Sequence, residues 1–300
     1  MKILIVGLVK NIQFERLREE GEKRGHRVEG CYVSELIIYC SNEEFSPSLR
    51  GRPLDYDLIA LWSLGQRRWE WYTAAGYLFE TKNTIIVNSK VVDPTYKLYL
   101  SPSMNYYKQF REGISFPKSA VIFSKKSIPR VIDKFKFPLI VKLSQGRQGR
   151  GVYMAENVEA LYKIAEDLEE KKEAFIIREY IPNDGDIRVF TVGYRAIGAM
   201  RRIPAKGEFR SNISLGGRGE KFDLEKYPEI RKIAETASKI TGTEIAGVDI
   251  MINKETGKPY TLEVNPGPQF MGLEKYTGVN AAEEIIKYFE ELYNKSHPTL

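Results

Sequence analysis

Histidine, cysteine and long apolar runs are all scarce in this chain. Its 300 residues hold two histidines and two cysteines. His26 lies in the turn-like stretch RGHRV and His297 close to the last residue. A Ser-His-Asp or Cys-His catalytic set is therefore not expected, nor is a histidine-rich zinc site. Cys31 and Cys40 have the spacing of neither a disulfide framework nor a zinc motif. They read as reduced packing residues, which points to the cytoplasm. No apolar run approaches the ~18 residues of a membrane span. The opening MKILIVGLVKN has too short an apolar stretch for a secretion signal and reads as a buried first strand. No G-x-G-x-x-G follows it, so a dinucleotide site is unsupported. A large excess of one charge is missing too: 46 Lys and Arg against 40 Asp and Glu give a net charge of +6. No basic block resembles a nucleic-acid tail, and direct nucleic-acid binding is not expected.

What is present is an ordered alternation of elements. Residues 1–92 read as strand, helix, strand, then two further apolar runs (54–62 and 83–89) around a helical segment from Arg68 to about Glu80. Strand-helix-strand units imply a parallel sheet covered by helices. VVDPTYKLYLSP (91–102) reads as a boundary, with Asp93 and Pro94 placed to start a helix. Beyond it come a strand in SFPKSAVIFS and a helix in IPRVIDKF. A hairpin follows around a glycine-rich loop in FPLIVKLSQGRQGRGVYMA, then a helix over 158–171. Residues 174–182 form a strand, 186–204 an antiparallel pair, and YPEIRKIAETASKITG a helix closed by Gly242. A second hairpin spans 246–268. The final helix is capped by Asn280, with Glu283 placed for a capping box. The division is 1–92, 93–177 and 178–300, an α/β unit followed by two α+β lobes.

Five stretches carry chemistry. Gly146, Gly149 and Gly151 punctuate a loop between two strands; it is either a plain turn or a flap whose backbone N–H groups approach phosphate oxygens. Lys142 is the single charge in the apolar strand before it, so it either faces water at an edge or meets a buried anion. In REYIPNDGDIR, Glu179, Asp186 and Arg188 make either a charged loop or a nucleotide edge, Glu179 at the adenine and Asp186 at the ribose. RRIPAKGEFRSNISLGGRG gathers arginines, among them Arg210 two residues from Asn212, suited to phosphate or carboxylate. In AGVDIMINKETGKPYTLEVNPGP, pairing Ile252 with Tyr260 sets Asp249 opposite Glu263, with Asn265 on the same side. Like charges opposed on a sheet are destabilising, so something positive belongs between them. Hard oxygen ligands of this kind suit Mg²⁺ held jointly with nucleotide phosphates.

The stretches VKLSQGRQGRGV, EYI, DIR, FRSN, AGVDI, LEVN and GLEKYTG, in that order, resemble the ATP-grasp ligases. Within them the chain is similar to the RimK-type amino-acid ligases, which add glutamate to ribosomal protein S6. The resemblance runs from about Val91 to Tyr293 and, more loosely, over 1–90. It implies an ATP-grasp fold, in which an N-terminal α/β (pre-ATP-grasp) domain precedes a central and a C-terminal lobe that clamp ATP. It implies that Lys97 and Lys142 hold phosphates, Glu179 and Tyr180 line the adenine pocket, and Asp186 meets the ribose. Arg210, Ser211 and Asn212 would reach the phosphates and an acyl-phosphate, with Asp249, Glu263 and Asn265 on Mg²⁺ (or Mn²⁺). The implied reaction activates a carboxylate with ATP and joins it to an amine, glutamate or another amino acid. The acceptor would be a protein C-terminus, a carrier protein or a coenzyme, and the assembly a homodimer or tetramer. Two alternatives share the fold: a small dipeptide or cofactor ligase, and a nucleotide-binding regulatory module without turnover. The chain departs from the pattern after Asn265, where PGPQFMG replaces a small residue and Ser-Pro-Gly. LWSLGQRRWEWYTAAG (61–76) is rich in Trp and Arg, which serve either packing or the acceptor site.

Overall fold

The structure is a computed structural model and describes residues 1–65, 68–93, 101–144, 151–170, 174–205, 207–208 and 216–298. Strand β1 (Lys2–Val6) leads into helix α1 (Ile12–Lys23). Asn11 fixes the start of α1, its side chain accepting from the Gln13 N–H at 2.9 Å. Strand β2 (Arg27–Cys31) follows, then three short strands, β3 (Leu36–Cys40), β4 (Phe45–Leu49) and β5 (Arg52–Pro53). Ser46, Pro47, Ser48 and Pro53 hide the usual strand signal in this small antiparallel sheet. Strand β6 (Leu58–Leu61), helix α2 (Arg68–Lys82) and strand β7 (Ile85–Val87) complete the unit. The main sheet has the order β2-β1-β6-β7 and is parallel throughout, as the alternation of elements implies.

Helix α3 (Pro102–Arg111) starts from Ser101 with Pro102 in its first turn. The start expected at Asp93-Pro94 concerns residues 94–100, which lie outside the described residues. Asp93 itself ends a short 3-10 turn, Ser89–Val92. Strand β8 (Ser119–Ile122) precedes IPRVIDKF, which was expected to be an α-helix. It forms parts of two 3-10 turns instead, Lys125–Arg130 and Ile132–Lys134, because Pro129 has no N–H to give an α-helical ladder. Strands β9 (Leu139–Leu143) and β10 (Val152–Ala155), helix α4 (Val158–Glu169) and strand β11 (Phe175–Glu179) follow. They form an antiparallel sheet of order β10-β9-β11-β8. Leu161, Ala165 and Leu168 of α4 cover Leu139, Val141, Phe175 and Ile177. Alternation along the strands therefore leaves Ile140, Lys142, Ile176 and Arg178 on the opposite face.

The last sheet is built from β12 (Asp186–Val192), β13 (Arg195–Ile203), β14 (Arg218–Phe222), β15 (Ile245–Ile252) and β16 (Pro259–Pro266). Its order is β14-β13-β12-β15-β16, antiparallel throughout. Helix α5 (Pro228–Thr241), closed by Gly242 in the left-handed region, buries Ile187, Val189, Val248 and Ile250 against Ile230, Ala234 and Ala237. The uncovered face carries Asp186, Arg188, Arg202, Asp249, Glu263 and Asn265. Asp249 does sit opposite Glu263. Ile252, however, faces Pro259 and not Tyr260: a bulge between Asp249 and Ile250 leaves Leu262 as the extra residue.

Helices α6 (Met271–Thr277) and α7 (Ala281–Ser296) end the described chain. The Asn280 side chain caps α7 at the Glu283 N–H, 3.1 Å, while the Glu283 carboxylate pairs with Lys287 at 2.8 Å. Buried residues of α7 share one core with β1, β6 and α1. The PGPQF stretch is the joint. The Phe270 ring lies between Trp62 (6.2 Å) and Phe190 (6.3 Å), and its N–H donates to Gln13 Oε1 at 2.7 Å. Gly267 has φ +59°, and a Cβ there would stand 2.2 Å from the Trp62 carbonyl oxygen. Trp62 and Trp71 are buried, so packing accounts for two of the aromatics in 61–76; Trp69 is half exposed. Among the described residues no helix is long and apolar enough to cross a membrane.

Candidate active site

The two uncovered sheet faces approach each other where Lys142 of β9 stands 3.9 Å from Glu263 of β16. On the β12–β16 side the central residue is Asp249, buried at 4% exposure. Arg188, its cross-strand partner, grips it with Nε and, at 2.8 Å, with Nη2. Arg202 of β13 adds a third contact at 3.0 Å. The same Arg202 holds Asp186 through two bonds of 2.7 and 2.5 Å. Gly247 makes this possible, since a Cβ there would meet the Arg188 side chain at 2.8 Å. The like charges opposed in the hairpin are thus met first by protein cations: Arg188 and Arg202 at Asp249, and Lys142 near Glu263.

The electrostatics follow from that geometry. Burial pushes the Asp249 carboxyl up, but the two guanidiniums outweigh it and hold Asp249 below the usual carboxylate range. Burial pushes Asp186 up, against the pull of Arg202 and with the help of the Asp249 charge. Burial and the Arg178 charge press the Lys142 ammonium down, while Glu263, Tyr106 and Asp249 support it. Burial also raises the Tyr106 phenol, yet Arg178 and Lys142 bring it below its ordinary value.

Several expected site residues are brought together. Lys142, Asp249, Glu263 and Asn265 share one surface, and the Asn265 amide nitrogen reaches Asp249 Oδ2 at 3.3 Å. Glu179 and Tyr180 lie at the end of β11, partly exposed. One Glu179 oxygen already accepts from the Lys118 N–H at 2.7 Å. Asp186, expected at the ribose, lies in the same arginine cluster as Asp249. Both its oxygens accept from Arg202 and the residue is buried, as is Asp249, so in this structure Asp186 orients the arginine. Gly151, with φ +75°, opens β10. Lys97, Gly146, Gly149, Arg210, Ser211 and Asn212 lie outside the described residues.

Three residues that the motifs passed over belong to the site: Arg202, Arg178 and Tyr106. Arg201-Arg202 inside an alternating strand is a usable signal, because one of two consecutive strand residues must face inward. Arg178 had the same signal in FIIRE. Tyr106 had none, since its place depends on how α3 meets β11 and β16.

The donor set fits a hard divalent cation. Two carboxylates and an amide oxygen suit Mg²⁺ when phosphate oxygens complete the shell. Glu263 is the accessible member, its side chain 48% exposed. Among the described residues no cluster of three His, Cys, Asp or Glu forms a metal cage by itself.

Comparison with known proteins bears on the family and the fold. The profile of the RimK-like ATP-grasp domain matches residues 106–289. A probable alpha-L-glutamate ligase of Aeromonas salmonicida is 34% identical over 301 aligned positions, covering 97% of this chain and 96% of that protein. The ATP-grasp ligase PsnB, solved with a minimal precursor, superposes with a TM-score of 0.73 at 19% identity, covering 96% and 98% of the two chains. D-alanine–D-alanine ligase of Bacillus anthracis, solved with ATP, gives 0.70 at 18% identity, with 98% of each chain covered.

Proposed function

The chain belongs to the RimK-like ATP-grasp family, and on that premise we propose that it is an ATP-dependent carboxylate–amine ligase that adds glutamate to an acceptor carboxylate. One observation carries the reading: Lys142, Asp249, Glu263 and Asn265 converge between two sheet faces that helices leave uncovered. Lys142 supplies a buried cation for phosphate. Arg188 and Arg202 lock Asp249 in its ionised form and in one orientation, so its oxygens are set before substrate arrives. Asp249, Glu263 and Asn265 would hold Mg²⁺, which when bound would offset the charge of the phosphates. In the proposed reaction the acceptor carboxylate takes the γ-phosphoryl group of ATP and ADP leaves. The amine nitrogen then attacks the acyl carbon and the C–O bond to phosphate breaks, the departing phosphate taking the proton that the amine loses, which leaves an amide.

None of these steps needs a histidine base. The residues act by positioning and by charge compensation, which suits a chain with two histidines. Arg210, Ser211 and Asn212 are proposed to reach the transferred phosphoryl group. The acceptor is proposed to be a peptide C-terminus. The reading draws on PsnB, a ligase of this fold that was solved with a precursor. Mass spectrometry after incubation with Mg²⁺-ATP, glutamate and a panel of peptides, carrier proteins and coenzymes tests it. A peptide gaining one glutamyl residue is expected; gain by a coenzyme alone would overturn the acceptor class.

A further inference from the structure

Among the described residues of the site, one buried cation without an ion pair is marked by no motif. Arg178 is 7% exposed. Its Nη2 donates to the Tyr106 hydroxyl at 2.6 Å and to the Leu262 carbonyl oxygen at 3.5 Å. Its Nε is buried without a partner among the described residues. A hydroxyl and a peptide carbonyl offer dipoles, not charge. The residues outside the description include one acidic side chain, Glu173. It precedes β11, whereas Arg178 is the next-to-last residue of that strand. A buried cation is costly unless an anion meets it.

A second cation lies beside it. Lys142 pairs with Ile176, two residues before Arg178, so both side chains leave the same face of the sheet. The carboxylate nearest Lys142 is Glu263 at 3.9 Å, and that group is half exposed. Among the described residues Lys142 thus has one half-exposed carboxylate within 4 Å, which the proposed metal also draws on, and no ion pair is seen for Arg178. Tyr106 stacks on Phe116 with ring centroids 5.1 Å apart, and its hydroxyl fixes the guanidinium. The arrangement is a held, forked donor set that no carboxylate among the described residues meets.

We propose that Arg178 is a nucleotide-phosphate ligand, forming with Lys142 an anion subsite on the β9–β11 face, and that Tyr106 positions its guanidinium. The inference rests on the ligase reading above. Calorimetric titration of the full chain with Mg²⁺ and a non-hydrolysable ATP analogue tests it, with Arg178→Gln and Arg178→Lys beside the wild type. Arg178→Gln is expected to weaken the analogue by roughly 10- to 100-fold, the scale of a charged hydrogen bond, and Arg178→Lys to recover part of that loss. The melting temperature of nucleotide-free Arg178→Gln is expected to match or exceed the wild type, because the lost charge had no counter-charge. A purely structural arginine would lower it. Analogue affinity in Arg178→Gln within about twofold of wild type would overturn the assignment. So would a weakening matched by loss of stability in the nucleotide-free variant. A wild type that binds no analogue defeats the ligase reading itself, and this inference with it.

Discussion

At the scale of single residues, the site is held by charges that compensate one another. Asp186 and Asp249 share Arg202, and Asp249 also has Arg188. Removing one partner of such a buried set leaves a charge without compensation. Arg202→Ala is therefore expected to cost about 3–5 kcal/mol of unfolding free energy, measured by urea denaturation. A loss under about 1 kcal/mol would show that the cluster does not behave as a buried network. Half of this set was legible in the sequence. The facing of Asp249 and Glu263 was read from an Ile252–Tyr260 pairing one residue out of register, and it holds because the bulge at Leu262 offsets that residue. The Arg201-Arg202 doublet signals that one arginine faces inward, but its partner Asp186 was hidden, since the register of two strands sets that pairing.

At the scale of elements, strong periodicity was readable and short irregular pieces were not. Strands β1, β9, β12 and β15 and helices α4, α5 and α7 all carry clean apolar patterns. β3 to β5 do not, because serine and proline interrupt them. Nor does the Pro129 segment, where helical composition meets a missing N–H. How elements join was also unreadable. The 3-10 turn after β7 meets the start of β15 through Ser89, whose N–H and hydroxyl donate to Glu244 at 2.7 and 2.9 Å. Asn88 Oδ1 accepts from the Ile245 N–H at 3.0 Å. Burial pushes the Glu244 carboxyl above its ordinary 4.5, and the Ser89 hydrogen bonds only partly oppose it. A raised carboxyl favours folding below the unfolded value, and that contribution fades as pH rises through the folded one. Gln cannot ionise. The stability of Glu244→Gln relative to wild type should therefore shift in the variant's favour as pH rises from about 4 to about 7, read by urea titrations across that range. Parallel pH curves for the two proteins would contradict the assignment.

At the scale of the whole molecule, PGPQF is both a departure from the family pattern and the hinge-point of assembly. Gly267 rests on the Trp62 carbonyl, and Phe270 plugs a core shared by β1, β6, β12 and α7. The structure shows that this stretch ties the last sheet to the first. That tie fixes one wall of the cleft in which Lys142 and Glu263 face each other. The central claim is that this cleft couples ATP cleavage to amide formation through its Asp249–Glu263 face. Glu263 is half exposed, so Glu263→Ala is expected to fold, which its melting temperature beside the wild type checks. The most direct measurement is ADP release from Mg²⁺-ATP by wild type and Glu263→Ala, with glutamate and the acceptor panel. The account predicts ADP from the wild type when a carboxylate and an amine substrate are both present, and none from the folded variant. Undiminished ADP release by Glu263→Ala, or none from a wild type that binds ATP, would contradict it.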